Sequence, residues 1–170
     1  DLDVPWVLRY VEDMDIWKLE LPDILPGALF YNTVNKDFET WNKLVKDFDD
    51  ESTRNQYIEQ GKIMLKYENK LMSEIVDSSK EIVKFEGYET YAINAPHAFA
   101  SQMGNALCRE KPPIAIVWQW SGGKMEVSLR SDGSVDVSEI AKKYGGGGHK
   151  AAAGFRFDNR CDFPWEKVNN

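Results

Sequence analysis

The sequence predicts an α+β fold, in which a mixed sheet is flanked by helices and is preceded by a mainly helical segment and a long linker helix. The first observation is that amphipathic helical patterns fill the first half of the chain. The second is that short β-rich runs alternate with helical segments from about residue 82 onward. A length of 170 residues with 42% hydrophobic residues is typical of one folded domain with an attached piece of another. The predicted domains are 1–50, a linker helix over 51–81, and 82–170.

The helical half contains three predicted helices. A proline at the start and aromatic residues at helical spacing predict a helix over 5–17. Residues 19–30 hold two prolines and a glycine, which predict an irregular connection. Further helices are expected over 38–48 and over about 52–79. The apolar stripe of the first of these two comprises Phe38, Trp41, Leu44, Val45 and Phe48, and that of the second comprises Tyr57, Gly61, Met64, Leu65, Leu71, Met72 and Ile75.

The second half reads as strands and helices in alternation. Two strands joined at Ser121-Gly122-Gly123 predict a hairpin. Asp136 and Glu139 form a pattern that resembles a capping box, and the helix that they begin is expected to end at the glycine run. The predicted strands are 90–95, 113–120, 124–131 and 154–157, and the predicted helices are 97–108 and 136–144.

The stretch "KYGGGGHKAAAGF", residues 143–155, is the strongest functional signal. Consecutive glycines leave backbone N–H groups accessible, and such groups can form a concave anion-binding nest. If "HKAAAG" begins a helix, the free N–H groups of its first turn would point at the same place. His149 would add a donor, and Arg130 and Lys150 would add positive charge. The pattern fits neither the P-loop nor the dinucleotide fingerprint, and its composition does not favour the alternative of a flexible linker.

The stretch "SLRSDGSVDVSEIAKKYGGGGHKAAAGF" resembles the signature of the DHH-associated C-terminal domain of DHH phosphoesterases. The resemblance covers roughly residues 85–158. It implies a domain that holds the nucleotide end of a substrate, next to a separate DHH domain whose two Mn²⁺ or Mg²⁺ ions activate water. By the same resemblance, the glycines would approach phosphate or sugar, His149 would bind phosphate, and Arg130 would pair with a phosphate or a base. The implied substrate-binding residues are Arg130, Ser131, Gly145, Gly146, Gly147, Gly148, His149 and Lys150, with Ser128 close to them.

The segment "YVEDMDIWKLELPD" resembles the end of the catalytic domain in the oligoribonuclease-like branch of the same superfamily. This resemblance implies that residues 1–50 are the last part of a DHH domain. It makes Asp13, and after it Asp15, a candidate for the last metal ligand. Helix-surface carboxylates without a metal are the alternative reading. His97 is interpreted as a residue at a helix N-terminus.

An Asp-His-His motif is absent from the sequence. The resemblance therefore implies that the Mn²⁺ or Mg²⁺ ions are held mainly by residues of a missing N-terminal DHH domain. We accordingly expect the chain by itself to be catalytically inactive, because a pair of divalent ions needs several carboxylate ligands.

Three functions remain open on the sequence. The chain is part of a phosphodiesterase for short single-stranded oligonucleotides or nucleotides, part of an exopolyphosphatase-like enzyme, or a non-catalytic nucleotide-binding module. A net charge of −7 argues against a general duplex-DNA binder. The isolated thiols of Cys108 and Cys161 indicate a reducing cytoplasm, and no apolar run approaches the ~20 residues of a membrane span. The oligomeric state, a homodimer included, is left open.

Overall fold

The computed structural model describes residues 4–158 and 162–168. The chain divides into two compact units, one up to Leu71 and the other from Met72 onward. The division falls inside the helix α4 (Glu51–Ser79), which was predicted as a separate linker over 51–81. The predicted domain boundaries stay a prediction.

The first unit is built from helices. The helices predicted over 5–17, over 38–48 and over about 52–79 are confirmed. Its elements are α1 (Trp6–Asp15), α2 (Ile24–Tyr31), α3 (Phe38–Asp49) and the first part of α4. Their apolar sides enclose a core made by Val7, Tyr10, Ile24, Ala28, Phe30, Tyr31, Leu44 and Phe48.

Two expectations for this unit are wrong. The segment predicted as an irregular connection contains α2. Pro26 lies in the first turn of that helix, where the N–H that proline lacks has no intrahelical partner anyway. Gly27 packs against the ring of Tyr10, since a Cβ at this position would lie 2.5 Å from a ring carbon. Phe38, which was expected on the buried stripe, is the first residue of α3 and is 91% exposed.

The second unit confirms the α+β class. Within the described residues, seven strands form one mixed sheet in the order β5-β6-β4-β3-β2-β1-β7. The pair β2–β3 is parallel, and the other pairs are antiparallel. The strands are β1 (Lys80–Phe85), β2 (Tyr88–Asn94), β3 (Ile114–Ser121), β4 (Lys124–Ser131), β5 (Gly147–His149), β6 (Ala152–Phe157) and β7 (Glu166–Lys167).

Helices cover both faces of this sheet. The helix α5 (Ala100–Glu110) follows a short 3₁₀ turn (His97–Phe99) and connects the parallel strands β2 and β3. It packs on one face, which we call the α5 face, over Ile93, Ala115 and Val117. The helix α6 (Val137–Lys143) packs on the opposite α6 face, over Ile114, Ile116, Met125, Val127, Leu129, Ala153 and Phe155.

Local sequence signals account for the turns of this unit. Gly122 and Gly123 have φ values of 58° and 81°, so the predicted hairpin β3–β4 turns through two left-handed residues. The side chain of Asp136 accepts a hydrogen bond from the N–H of Ser138 and begins α6. The helix considered for "HKAAAG" does not form, because these residues belong to the hairpin β5–β6.

Candidate functional site

The first two glycines of the run end a helix. Gly145 has a φ of 75°. Its N–H donates to the carbonyl of Lys142 at 3.0 Å, and the N–H of Gly146 donates to the carbonyl of Ala141 at 2.9 Å. This is the Schellman pattern of a helix C-terminus. These two N–H groups are therefore occupied, and the expected nest across the whole run is wrong in this half.

Gly146 and Gly148 allow the glycine run to approach β6 closely. A Cβ at Gly146 would lie 2.2 Å from the carbonyl oxygen of Gly154, and one at Gly148 would lie 2.5 Å from the Cα of Ala153. Neither position has room for a side chain. Gly147 differs, since a Cβ there would meet no heavy atom within 4 Å. Gly147 thus leaves open space over the sheet.

Strand register aligns the candidate residues on the α5 face. His149 pairs with Ala152, which pairs with Arg130, and directly paired residues point to the same side of a sheet. Neighbouring strands are ~4.8 Å apart, so the Cα atoms of His149 and Arg130 are about 10 Å apart. The next row is Gly147, Gly154 and Ser128. Small residues therefore form the floor between the arginine and the histidine.

The Arg130 side chain is held in place beneath α5. Its Nη2 donates to the Ser101 hydroxyl at 2.8 Å, and its Nη1 donates to the Leu129 carbonyl at 2.9 Å. A Cβ at Gly104 would lie 2.7 Å from the Arg130 Cγ, so the helix needs glycine there to accommodate the arginine. Burial lowers the pKa of Arg130. Over residues 4–158 and 162–168, no carboxylate pairs with this guanidinium. A cation that is withdrawn from water without a counter-charge favours the approach of an anion.

A cavity of about 340 Å³ opens beside the glycine run. Its polar wall includes His97 and Glu126, neither of which was predicted as a site residue. The alternation along β4 could have identified Glu126, because it lies on the same face as Ser128 and Arg130. The lining residues are His97, Glu126, Val127, Ser128, Gly145, Gly146, Gly154, Phe155 and Arg156.

A chain of hydrogen bonds crosses the sheet at this cavity. The Nη2 of Arg156 and the Nε2 of Gln119 each donate to one carboxylate oxygen of Glu126, both at 2.8 Å. The backbone N–H of His97 donates to the Oε1 of Gln119 at 3.0 Å. His97 is the first residue of the 3₁₀ turn before α5, as the sequence predicts, and it also lines the cavity. These hydrogen bonds connect β6, β4 and β3 to the start of the 3₁₀ turn.

Ser131 lies on the opposite face of the sheet from Arg130 and Ser128, whereas the role predicted for Lys150 stays a prediction. Ser131 is buried on the α6 face, where its hydroxyl donates to the Val135 carbonyl and accepts the N–H of Gly133. It therefore stabilises the turn after β4, and we leave it out of the candidate site. Lys150 is exposed in the turn between β5 and β6, and its carbonyl accepts the N–H of Val137.

The candidate metal ligands lie in the first unit. Asp13 is buried, and its carboxylate accepts the N–H groups of Glu20 at 3.0 Å and of Leu21 at 2.8 Å. Asp15 is exposed, and it is a secondary cause, after burial, of the rise in the pKa of Tyr31 to about 12. The described part of the chain holds no group of three or more His, Cys, Asp or Glu residues that could bind a metal ion. Asp13 and Asp15 alone do not supply enough oxygen ligands for a pair of Mn²⁺ or Mg²⁺ ions. Their assignment as metal ligands of a complete enzyme stays a prediction.

Comparison with known proteins identifies the second half of the chain. Residues 90–170 match the DHHA1 domain family. This part of the chain is a DHHA1 domain. The predicted DHH-associated domain is thus confirmed, and DHHA1 domains are C-terminal parts of DHH proteins. Among the described residues, each helix is too short or too polar to cross a membrane.

Two relatives are similar in sequence. An uncharacterised protein of Acanthamoeba polyphaga mimivirus is 30% identical over 179 aligned positions, which cover 100% of this chain and 41% of the relative. The oligoribonuclease NrnB of Bacillus subtilis (strain 168) is 40% identical over 67 residues, which cover 38% of this chain and 17% of the relative. The chain therefore spans less than half the length of these relatives.

Two solved structures share the fold. The pGpG-specific phosphodiesterase PggH from Vibrio cholerae has a TM-score of 0.56 at 13% identity, covering 91% of this chain and 63% of that one. The DHH domain of a member of the s1p family of ribosomal proteins has a TM-score of 0.57 at 15% identity, covering 92% of this chain and 43% of that one. The likeness extends over both units of the chain.

Proposed function

We propose that this chain is the substrate-binding portion of a metal-dependent phosphodiesterase that acts on short oligonucleotides or nucleotides. The observation that carries the proposal is Arg130, a partly buried cation for which the described residues supply no carboxylate. It faces the same side of the sheet as His149 and the open backbone at Gly147. The names of the two enzymes similar to this chain, an oligoribonuclease and a pGpG-specific phosphodiesterase, support a nucleotide as the ligand.

In this proposal the α5 face binds the phosphate. Ser101 and the Leu129 carbonyl occupy two of the five N–H donors of Arg130, which leaves others to meet phosphate oxygens. His149 lies on the edge strand β5, where alternate backbone N–H groups point away from the sheet. The small residues Ala152 and Gly154 between them let an oxyanion approach the backbone closely.

The complete enzyme would contain a DHH domain with Mn²⁺ or Mg²⁺, and these ions would activate water for attack on the phosphodiester. The contribution of this chain would be to hold the substrate in place for that attack. We also propose a reducing cytoplasm as its location. Cys108 is a buried free thiol, and Cys161 lies outside the described residues.

Calorimetry with a dinucleotide tests the proposed phosphate site. We expect His149→Ala to weaken binding by about 1–3 kcal/mol, the range of charge-assisted hydrogen bonds. Gly147→Val should abolish binding and preserve the fold, because its side chain enters open space and its φ lies outside the left-handed region. Circular dichroism checks that fold.

The matched control is Lys142→Ala. It removes an exposed cation from α6, which packs on the opposite face of the sheet. Unchanged affinity in both site variants would contradict the proposal, and tight binding of polyphosphate with no binding of a dinucleotide would favour the exopolyphosphatase-like alternative.

A further inference from the structure

Glu126 places a carboxylate in the cavity beside the proposed phosphate site. Its side chain is 19% exposed, and each carboxylate oxygen accepts one hydrogen bond within the protein, from Gln119 or from Arg156. A carboxylate oxygen can accept two hydrogen bonds. Each oxygen therefore keeps one acceptor position for a ligand, while Gln119 and Arg156 hold the carboxylate in a defined orientation.

The position of Glu126 matches the length of a nucleotide. It lies on the same strand and the same face as Ser128 and Arg130. Four residues along a strand correspond to about 13 Å, with Ser128 halfway between. A ligand with its phosphate near Arg130 and its sugar above the small residues would bring its base to the cavity that Glu126 lines.

This inference rests on the proposed function: we propose that Glu126 determines the base specificity of the site and selects guanine. The Watson–Crick edge of guanine presents two neighbouring N–H donors, N1–H and the N2 amino group, to the two oxygens of a carboxylate. Such parallel pairs of hydrogen bonds are geometrically specific.

Other bases fit this acceptor pair less well. Adenine and cytosine place an unprotonated ring nitrogen beside their amino group, so one carboxylate oxygen would face another acceptor. Uracil has a single N–H between two carbonyl groups. In both cases a buried acceptor meets an acceptor instead of a donor, which disfavours binding.

Titration of the 170-residue chain with GMP, AMP and inorganic phosphate tests the assignment. We expect GMP to bind roughly tenfold or more tightly than AMP, which is the discrimination of one bidentate contact. Glu126→Gln replaces one acceptor oxygen with a donor at unchanged size. It should bring the GMP-to-AMP affinity ratio close to one and leave the affinity for inorganic phosphate unchanged.

The control variant is Glu139→Gln, which removes an exposed carboxylate that pairs with Lys142 on α6. It should preserve the GMP-to-AMP affinity ratio.

A separate titration uses deoxy-GMP, which should bind as tightly as GMP does. If removing the ribose hydroxyl lowers the affinity as much as Glu126→Gln lowers the affinity for GMP, the carboxylate binds that hydroxyl and the base assignment is overturned.

Two further results would separate this inference from the proposed function. Equal binding of GMP and AMP, or an equal loss of both in Glu126→Gln, would overturn the specificity role while the phosphate site stands. Failure of phosphate and of every nucleotide to bind would overturn both.

Discussion

Each unit of the chain contains a charged side chain that is withdrawn from solvent, and the two are satisfied differently. In the helical unit, the carboxylate of Asp13 accepts the N–H groups of Glu20 and Leu21. In the sheet unit, Arg130 donates to a hydroxyl and a carbonyl, and the described residues offer it no opposite charge. The first charge is matched by its local backbone and stabilises a turn. The second retains free donors beside an open backbone, which is the arrangement expected of a binding residue.

The comparison predicts the largest effect on stability at Asp13. Asp13→Ala leaves two backbone N–H groups without their acceptor, and we expect the free energy of unfolding to fall by about 3 kcal/mol. Asp15→Ala is the matched control, because Asp15 is exposed on the same helix. Its effect should stay within about 0.5 kcal/mol. Urea unfolding followed by circular dichroism measures both.

If Asp13→Ala lowers the free energy of unfolding no more than Asp15→Ala does, the turn does not require the Asp13 carboxylate. That result would point to a different role for Asp13. Phosphate affinity should be unchanged in both variants, since neither residue belongs to the proposed site.

The second prediction is a loss of binding without a large loss of stability at Arg130. Arg130→Met keeps an unbranched stem against Gly104 and removes the guanidinium. We expect phosphate affinity to fall by about 1–3 kcal/mol, while the free energy of unfolding changes by less than about 1 kcal/mol. Calorimetry and urea unfolding of the same preparation separate the two quantities.

A second variant tests whether the position of Arg130 matters as well as its charge. The Cβ of Gly104→Ala would lie 2.7 Å from the Arg130 Cγ and would displace the side chain, although alanine favours the helix. A drop in phosphate affinity with the arginine still present is the expected result, and Asn105→Ala on the same helix is the control. Full affinity in Gly104→Ala would show that the observed placement of Arg130 is not needed.

The smallest expected effect concerns Glu86, a carboxylate paired with a cation on the surface. Hydrogen bonds from Lys143 and Tyr144 lower the pKa of Glu86 below its usual 4.5. Because the folded-state pKa is the lower one, this contribution to stability is present above about pH 4.5 and is lost as the pH falls through the folded-state value.

Urea unfolding at pH 6 and at pH 3.5 checks this sign. Glu86→Gln should lower stability slightly at pH 6 and by less at pH 3.5, since partly exposed ion pairs contribute little. A larger effect at the lower pH would contradict the assignment.

The sequence by itself determined the fold class, most element positions and the family of the second half. Alternating apolar residues and two consecutive glycines predicted the hairpin β3–β4, and the capping residue Asp136 and the glycine run predicted both ends of α6. These signals are local, because each depends on residues within a few positions of one another. The motif around the glycine run was also readable without a structure, since it is contiguous.

Only the tertiary structure decided which polar groups remain open for a ligand. Residues after the glycine run form a strand because β6 pairs with β4, which is distant in sequence, and this long-range pairing overrides the local suggestion of a helix. The same pairing puts Arg130 in one row with His149, and strand alternation puts its neighbour Ser131 on the opposite face. Whether Asp13 is satisfied depends on the path of the turn that follows it. The residue types determine how many hydrogen bonds each side chain can form. Only the folded backbone determines how many of those donors and acceptors already have partners within the protein.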